Sequence, residues 1–304
     1  MKKMKRNKNE KIISFFIYAG PLILVLLLLS FTPAIKGIQM SFLKASRTDM
    51  SMTFNGLKNY INVLQNPYFY KILLNTICYT SLVIIFGAII GITIALLLNE
   101  KIYGRGFFRA VNIVPWVSPP AVISIIWVWF FGKYSPLNDI LIRLDIIKEP
   151  IDFLGNLHTT FGPINSPMIS IIIVGAWVIY PFIMIMTSAG LQSIPVELYD
   201  AALVDGATKR QQIFLITLPL LKNVFTIMFT LTFIWTFQYF NAYLLTKGGP
   251  RGSTELLSGH IYIRAFTKGD FGYASAAGII MMFLMFLPCL YYIRMILKQI
   301  KNSG

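Results

Sequence analysis

Acidic side chains are scarce in this 304-residue chain, where 12 Asp and Glu stand against 27 Lys and Arg for a formal net charge of +15 at pH 7. Charge of either sign makes up 13% of the residues and 56% are hydrophobic, whereas an ordinary soluble domain is roughly 25% charged. Cysteine and histidine are rarer still, at two each. Cys78 and Cys289 both fall in apolar stretches, which argues against a disulfide framework or a thiolate metal site and makes them packing residues. His158 and His260 fall between such stretches and read as solvated loop residues. Without an H-E-x-x-H pair or an acid pair in an apolar stretch, no metal centre, cofactor or catalytic residue is expected. A G-x-x-x-x-G-K-[ST] phosphate loop is missing too, and the nearest glycine cluster, Gly248-Gly249-Pro250-Arg251-Gly252, lacks its Lys-Ser/Thr end and reads as a turn.

What the chain has in quantity is apolar sequence without charge. Residues 12–35, 72–98, 112–131, 168–190, 223–246 and 271–293 together hold 141 residues and no Asp, Glu, Lys or Arg, where random placement would put about 18. Each reaches the roughly 20 residues that a helix needs to cross about 30 Å of hydrocarbon. The expected fold class is therefore all-α: a polytopic membrane protein of six transmembrane helices in a single domain, 1–304. The segments between are too short for a separate catalytic domain. The positive charge then belongs beside anionic lipid rather than nucleic acid. The basic stretch before residue 12 resembles the start of a signal peptide, but the apolar run is too long and no A-x-A site follows, so it reads as an uncleaved first span.

Segments 1–11, 99–111, 191–222 and 294–304 carry 15 Lys and Arg in 67 residues, against 12 in 96 for the alternate segments. The positive-inside rule puts the first set, and both termini, in the cytoplasm. On the outward side, Leu137, Ile140, Leu141, Leu144 and Ile147 recur at helical spacing, as do Leu57, Tyr60, Ile61 and Leu64, predicting short surface helices.

Ion-driven carriers and voltage sensors usually hold an ionisable residue within the bilayer, and these stretches have none. Uphill transport would need energy from another subunit, with sodium coupling through carbonyls at broken helices as the remaining route. The longest cytoplasmic segment, 192–219, parses by helix rules. Pro195 suits a first helical position. Glu197 and Asp200 sit in the opening turns, where the dipole favours acid. Gly206 suits the left-handed position past a helix end. Thr208 and Gln211 have capping-box spacing and start a second helix with Ile213, Phe214 and Ile216 as its apolar residues, closed by Pro219. By these rules alone the segment is equally an ordinary ordered loop.

The spacing of Asp200, Ala201, Ala202, Asp205, Gly206, Ala207, Phe214, Ile216 and Pro219 adds a further meaning. It resembles the EAA loop of the inner-membrane permease subunits of binding-protein-dependent ABC importers, E-A-A-x-x-D-G-A-x-x-x-x-x-F-x-x-I-x-x-P, with Asp200 in place of the usual Glu and Phe214 one position after the Phe of the pattern. Phe54-Asn55-Gly56-Leu57-Lys58-Asn59-Tyr60, Thr246-Lys247-Gly248-Gly249-Pro250 and Phe271-Gly272-Tyr273-Ala274-Ser275-Ala276 are similar to stretches of the maltose-type sugar permeases. The resemblance implies a coupling loop at 192–219 in which Glu197, Asp200, Ala201, Ala202, Asp205, Gly206 and Ala207 engage the ATPase. It implies as partners two copies of a cytoplasmic ATPase subunit, a second permease subunit of a different chain (a homodimer being the other arrangement) and an extracytoplasmic sugar-binding protein. The setting is a bacterial or archaeal inner membrane, and the chain itself is no enzyme.

Thr232, Trp235, Tyr239 and Ala242 fall on one face of the fifth span, with Gln238 and Asn241 turned aside. Pro115, Pro119 and Pro120 around Trp116 are expected to interrupt the third span, and Pro181 to kink the fourth. By position in the resembling family, Trp116, Phe182, Trp235, Thr236 and Tyr239 would line the substrate pathway; the alternative is that they pack between helices. Competing readings are the same architecture for a glycerol phosphodiester or a peptide, and a stand-alone ion-coupled carrier or channel.

Overall fold

The structure, a computed structural model, describes residues 8–45, 52–100, 102–155, 160–161 and 163–303. His158 lies outside them. In chain order the helices are α1 (Lys8–Leu26), α2 (Thr32–Ser41), α3 (Lys58–Leu64), α4 (Pro67–Leu97), α5 (Arg105–Val117), α6 (Pro120–Phe131), α7 (Pro136–Arg143), α8 (Ser166–Leu191), α9 (Val196–Val204), α10 (Lys209–Gln211), α11 (Leu218–Leu220), α12 (Lys222–Phe237), α13 (Asn241–Thr246), α14 (Leu257–Tyr262) and α15 (Phe271–Ser303). A π-helical turn, Leu27–Phe31, joins α1 to α2, and another, Gln212–Thr217, joins α10 to α11. A third π-helical turn, Ile263–Thr267, follows α14, a 3-10 turn spans Pro250–Gly252, and there are two antiparallel pairs of two-residue strands, Leu43–Lys44 with Thr53–Phe54 and Thr160–Phe161 with Ile164–Asn165.

Four helical segments, Ser14–Ser41, Pro67–Leu97, Ser166–Leu191 and Phe271–Tyr291, are long and apolar enough to cross a membrane. Two bent pairs, Arg105–Val117 with Pro120–Arg143 at 94° and Lys209–Leu220 with Lys222–Thr246 at 67°, bring the number to six when each pair is one span. The first bend has a stereochemical cause. A residue that precedes proline is driven from the α region, and both Ser118 (ψ 137°) and Pro119 (ψ 134°) precede one. Pro115 and Pro181 instead lie inside α5 and α8 without ending either helix. The second bend falls at Leu221, two residues past the proline expected to close the helix. A further interruption, which the sequence pattern does not mark, ends α12 at Gln238 (φ −99°, ψ 18°) before α13 begins.

The chain forms two compact units, 1–66 with 261–280 and 67–260 with 281–304. In the second, α8 is the central helix, and α4 packs along it. Glycines one turn apart set that approach: a Cβ on Gly87 would stand 2.6 Å from Ile179 Cγ2, and one on Gly91 would stand 2.6 Å from the Tyr180 carbonyl oxygen. This is the small-x-x-x-small pattern that lets helices in lipid gain close van der Waals contact. Tyr79, Val83, Ile171, Ile183 and Met228 are buried in the resulting core.

In the first unit, two of the sequence motifs meet. Asn59 Nδ2 donates to the carbonyls of Ser41 and Leu43, both at 2.8 Å, and the hydroxyls of Tyr60 and Ser41 are 2.7 Å apart. Gly272 N donates to the Ala45 carbonyl at 3.1 Å, and a Cβ on Gly272 would collide with the Leu43 carbonyl oxygen. The 54–60 and 271–276 stretches therefore both brace the backbone of 41–45.

Candidate functional site: an aromatic cavity and an exposed capped helix

The segment 192–219 folds as two short helices about a glycine turn. Pro195 is the N-cap rather than the first residue of α9, and Glu197 occupies the opening turn. The helix ends in a Schellman arrangement: Ala207 N donates to the Ala202 carbonyl at 2.8 Å and Gly206 N to the Leu203 carbonyl at 3.1 Å, with Gly206 at φ +79°. Thr208 and Gln211 make the capping box reciprocally, Gln211 N to Thr208 Oγ1 at 3.3 Å and Thr208 N to Gln211 Oε1 at 2.8 Å. Lys209 Nζ reaches Glu100 Oε1 at 2.7 Å, a solvent-facing pair between α10 and the residues after α4.

No residue of α9 is buried. Glu197, Asp200, Ala201, Asp205 and Gly206 are exposed, while Ala202 and Ala207 are half-buried. Beside the acids stand apolar side chains facing solvent, Val196 at 66% exposure, Leu203 at 67% and Val204 at 88%.

The five predicted pathway residues converge in the second unit. A cavity of about 350 Å³ is lined by Trp116, Ser118, Pro119 and Pro120 from the α5–α6 break, Gly175 and Ile179 from α8, and Trp235, Thr236, Tyr239 and Asn241 from the broken end of α12. Phe182 sits behind it, its ring 4.7 Å from that of Trp235 at 67° and 5.7 Å from that of Trp116. No lining residue is charged. A larger groove of about 700 Å³ along α4 and α8 is almost wholly apolar and contains none of the five.

Three placements differ from the sequence reading. Asn241, expected to turn aside, lines the cavity, because the helix stops at Gln238 and the 100° per residue of a continuous helix no longer applies beyond it. Tyr79 of α4 was not singled out by the pattern, yet it is fully buried on the cavity wall with its ring stacked on Tyr239 at 5.8 Å and 21°. His260 is 2% exposed rather than solvated. Its Nδ1 lies 2.7 Å from Glu255 Oε1, and the Tyr68 hydroxyl donates to Glu255 Oε2 at 2.5 Å. Asn75 Nδ2 meanwhile donates to the backbone carbonyls of Gly252, Ser253 and Glu255, which holds this turn on α4. Among the described residues, no three His, Cys, Asp or Glu side chains are placed to hold a metal ion.

Helices of membrane-spanning length, two of them counted as sharply bent pairs, define a multi-pass membrane protein, whose second unit holds an uncharged aromatic cavity and a capped helix exposed to solvent. Residues 84–301 match the family of binding-protein-dependent transport system inner membrane components, and the chain belongs to that family. It is 34% identical over 243 residues to the trehalose/maltose transport system permease protein MalF of Thermococcus litoralis, covering 79% of each chain. To the sulfoquinovosyl glycerol transport system permease protein SmoG of Agrobacterium fabrum it is 31% identical over 291 residues, covering 95% of this chain and 91% of the relative. Its fold is shared with a chain of a bacterial ABC transporter involved in the import of the acidic polysaccharide alginate, at a TM-score of 0.75 and 23% identity over 95% of this chain and 98% of that one.

Proposed function

We propose that this chain is the translocating subunit of an ATP-binding cassette importer that moves a sugar or oligosaccharide delivered by an extracytoplasmic binding protein. It has no catalytic activity of its own and lies in a bacterial or archaeal inner membrane with both termini in the cytoplasm. Two cytoplasmic ATPase subunits drive it, and a second permease of a different chain completes the pathway. The observation that carries this reading is α9. A helix whose apolar Val196, Leu203 and Val204 all face solvent beside Glu197, Asp200 and Asp205 needs a partner surface to cover it. In this reading Ala201, Ala202 and Ala207 allow close approach, and the left-handed Gly206 sets the exit direction of the chain.

The aromatic cavity supports a sugar over a phosphate-bearing solute. Trp116, Trp235 and Tyr239 offer apolar ring faces, with Thr236 and Phe182 in support, and the wall carries no cation to hold a phosphate. The MalF and SmoG relatives are named for trehalose, maltose and a sulfoquinovosyl glycerol.

The test is purification of the tagged protein in mild detergent from its native membrane, for the wild type and for Gly206→Trp with Asp200→Arg. An ATPase and a second permease should accompany the wild type, and the variant should lose the ATPase. Recovery of the protein alone, or an ATPase that survives the double change, would overturn the coupling assignment. The sugar assignment is read separately, by uptake of radiolabelled maltose, trehalose and arabinotriose into proteoliposomes holding the complex and its binding protein.

A further inference from the structure

The hydroxyl groups on the cavity wall are accounted for one by one. Ser118 Oγ donates to the Val114 carbonyl at 2.7 Å, and Thr236 Oγ1 to the Thr232 carbonyl at 2.7 Å, so each is committed to its own helix. The Tyr239 hydroxyl accepts from Asn241 Nδ2 at 3.3 Å. Tyr79 differs: its ring is fully buried and its hydroxyl, also inaccessible to solvent, has no hydrogen-bond partner among the described residues. A buried hydroxyl without a partner is destabilising relative to a phenylalanine of the same shape, so as a packing residue Tyr79 is the wrong choice of side chain.

The oxygen stands against Gly175, which with Tyr79 belongs to the cavity wall. Gly175 of α8 makes the hollow it occupies, since a Cβ there would collide with the Tyr79 hydroxyl. The ring that covers Tyr79 belongs to Tyr239, which stands at the interruption after Gln238, outside regular helix. A side chain on a non-helical junction can turn without unwinding a span. Both groups belong to the same cavity as Trp116 and Trp235.

We propose that the Tyr79 hydroxyl is the group with which this cavity reads a sugar hydroxyl, and that the Tyr239 ring is the leaf that covers it until the sugar is present. This rests on the sugar reading above. The aromatic faces hold the apolar side of a sugar ring without regard to which hydroxyls it bears, whereas a tyrosine O–H both donates and accepts at a fixed position. Tyr79 would therefore contribute to the choice among sugars more than to the rate of movement.

The experiment is Tyr79→Phe in the reconstituted complex with its binding protein and ATPase, assayed for uptake of the same three radiolabelled sugars. The expected result is a KM raised roughly three- to tenfold, the range of one lost hydrogen bond. The thermal midpoint of the purified complex should be equal or higher, because the variant removes an unpaired buried hydroxyl. A residue that only packs would leave KM unchanged, and that outcome overturns the proposal while the sugar reading stands. A fall in Vmax and basal hydrolysis with KM constant overturns it as well. If the wild-type complex takes up none of the three sugars, the sugar reading fails and takes this assignment with it.

Discussion

The hydroxyls of Tyr199 and Thr217 lie 2.9 Å apart. Thr217 Oγ1 also lies 3.2 Å from the Gln212 carbonyl, and when its proton goes there Tyr199 donates to Thr217. This is a side-chain tie between α9 and the π-helical turn that leads into α11, and it joins the exposed helix to the rest of its unit. Tyr199→Phe should cost about 0.5–1.5 kcal/mol of local order. The expected outcome is faster amide exchange over 196–204, with a weaker stimulation of ATP hydrolysis by substrate and an ATPase that still co-purifies.

Gly206 at φ +79° makes the most specific backbone demand in the same segment. A β-branched residue in the left-handed region costs about 1–2 kcal/mol, whereas asparagine is better tolerated there. Co-purification of the ATPase should therefore be lost or greatly reduced with Gly206→Val and largely kept with Gly206→Asn. Equal behaviour of the two would show that the left-handed turn is not what matters at this position.

The packing of α4 on α8 makes its own prediction. At Gly91 an added Cβ faces the backbone oxygen of Tyr180, which cannot swing aside as a side-chain tip could. Gly91→Leu should lower stability by at least about 1–3 kcal/mol, read as a lower thermal midpoint in detergent. Gly106, with nothing near its Cβ position, should tolerate alanine with no comparable change.

For the buried Glu255 and His260, the cost of a change should depend on whether the hydrogen bonds survive. Glu255→Gln retains groups that can serve Tyr68 and His260. Glu255→Ala removes them and should cost about 1.5–3 kcal/mol, as befits bonds to an ionisable group. A double-mutant cycle with His260→Ala, followed by thermal unfolding, should give a coupling energy above 0.5 kcal/mol, roughly the lower limit for residues in contact.

Much of this architecture is legible from one dimension, and the failures have physical causes. Long charge-free runs specify helices because lipid leaves the backbone no other partner, and the Thr208–Gln211 box and Gly206 announce helix ends through chemistry local to the chain. The break at Ser118 and Pro119 is equally local. Tyr79 and Asn241 were harder. The role of Tyr79 comes from Gly175 and Tyr239, which lie far along the chain, and Asn241 enters the cavity after an interruption at Gln238 that neither proline nor glycine marks. His260 reads as solvated because it falls between the long apolar stretches, while its burial depends on Tyr68 and Glu255.

The 94° corner at Ser118 and Pro119 has a consequence for genetics. Prolines 119 and 120 have no amide proton, so the carbonyls of Pro115 and Trp116 lack the donor that a continuous helix would supply. Main-chain oxygen is the same whatever the side chain, so a saturation screen of 117 and 118 should find most small substitutions silent. The screen should register instead at the two prolines themselves, where replacement restores an N–H, straightens the helix and takes those oxygens out of service.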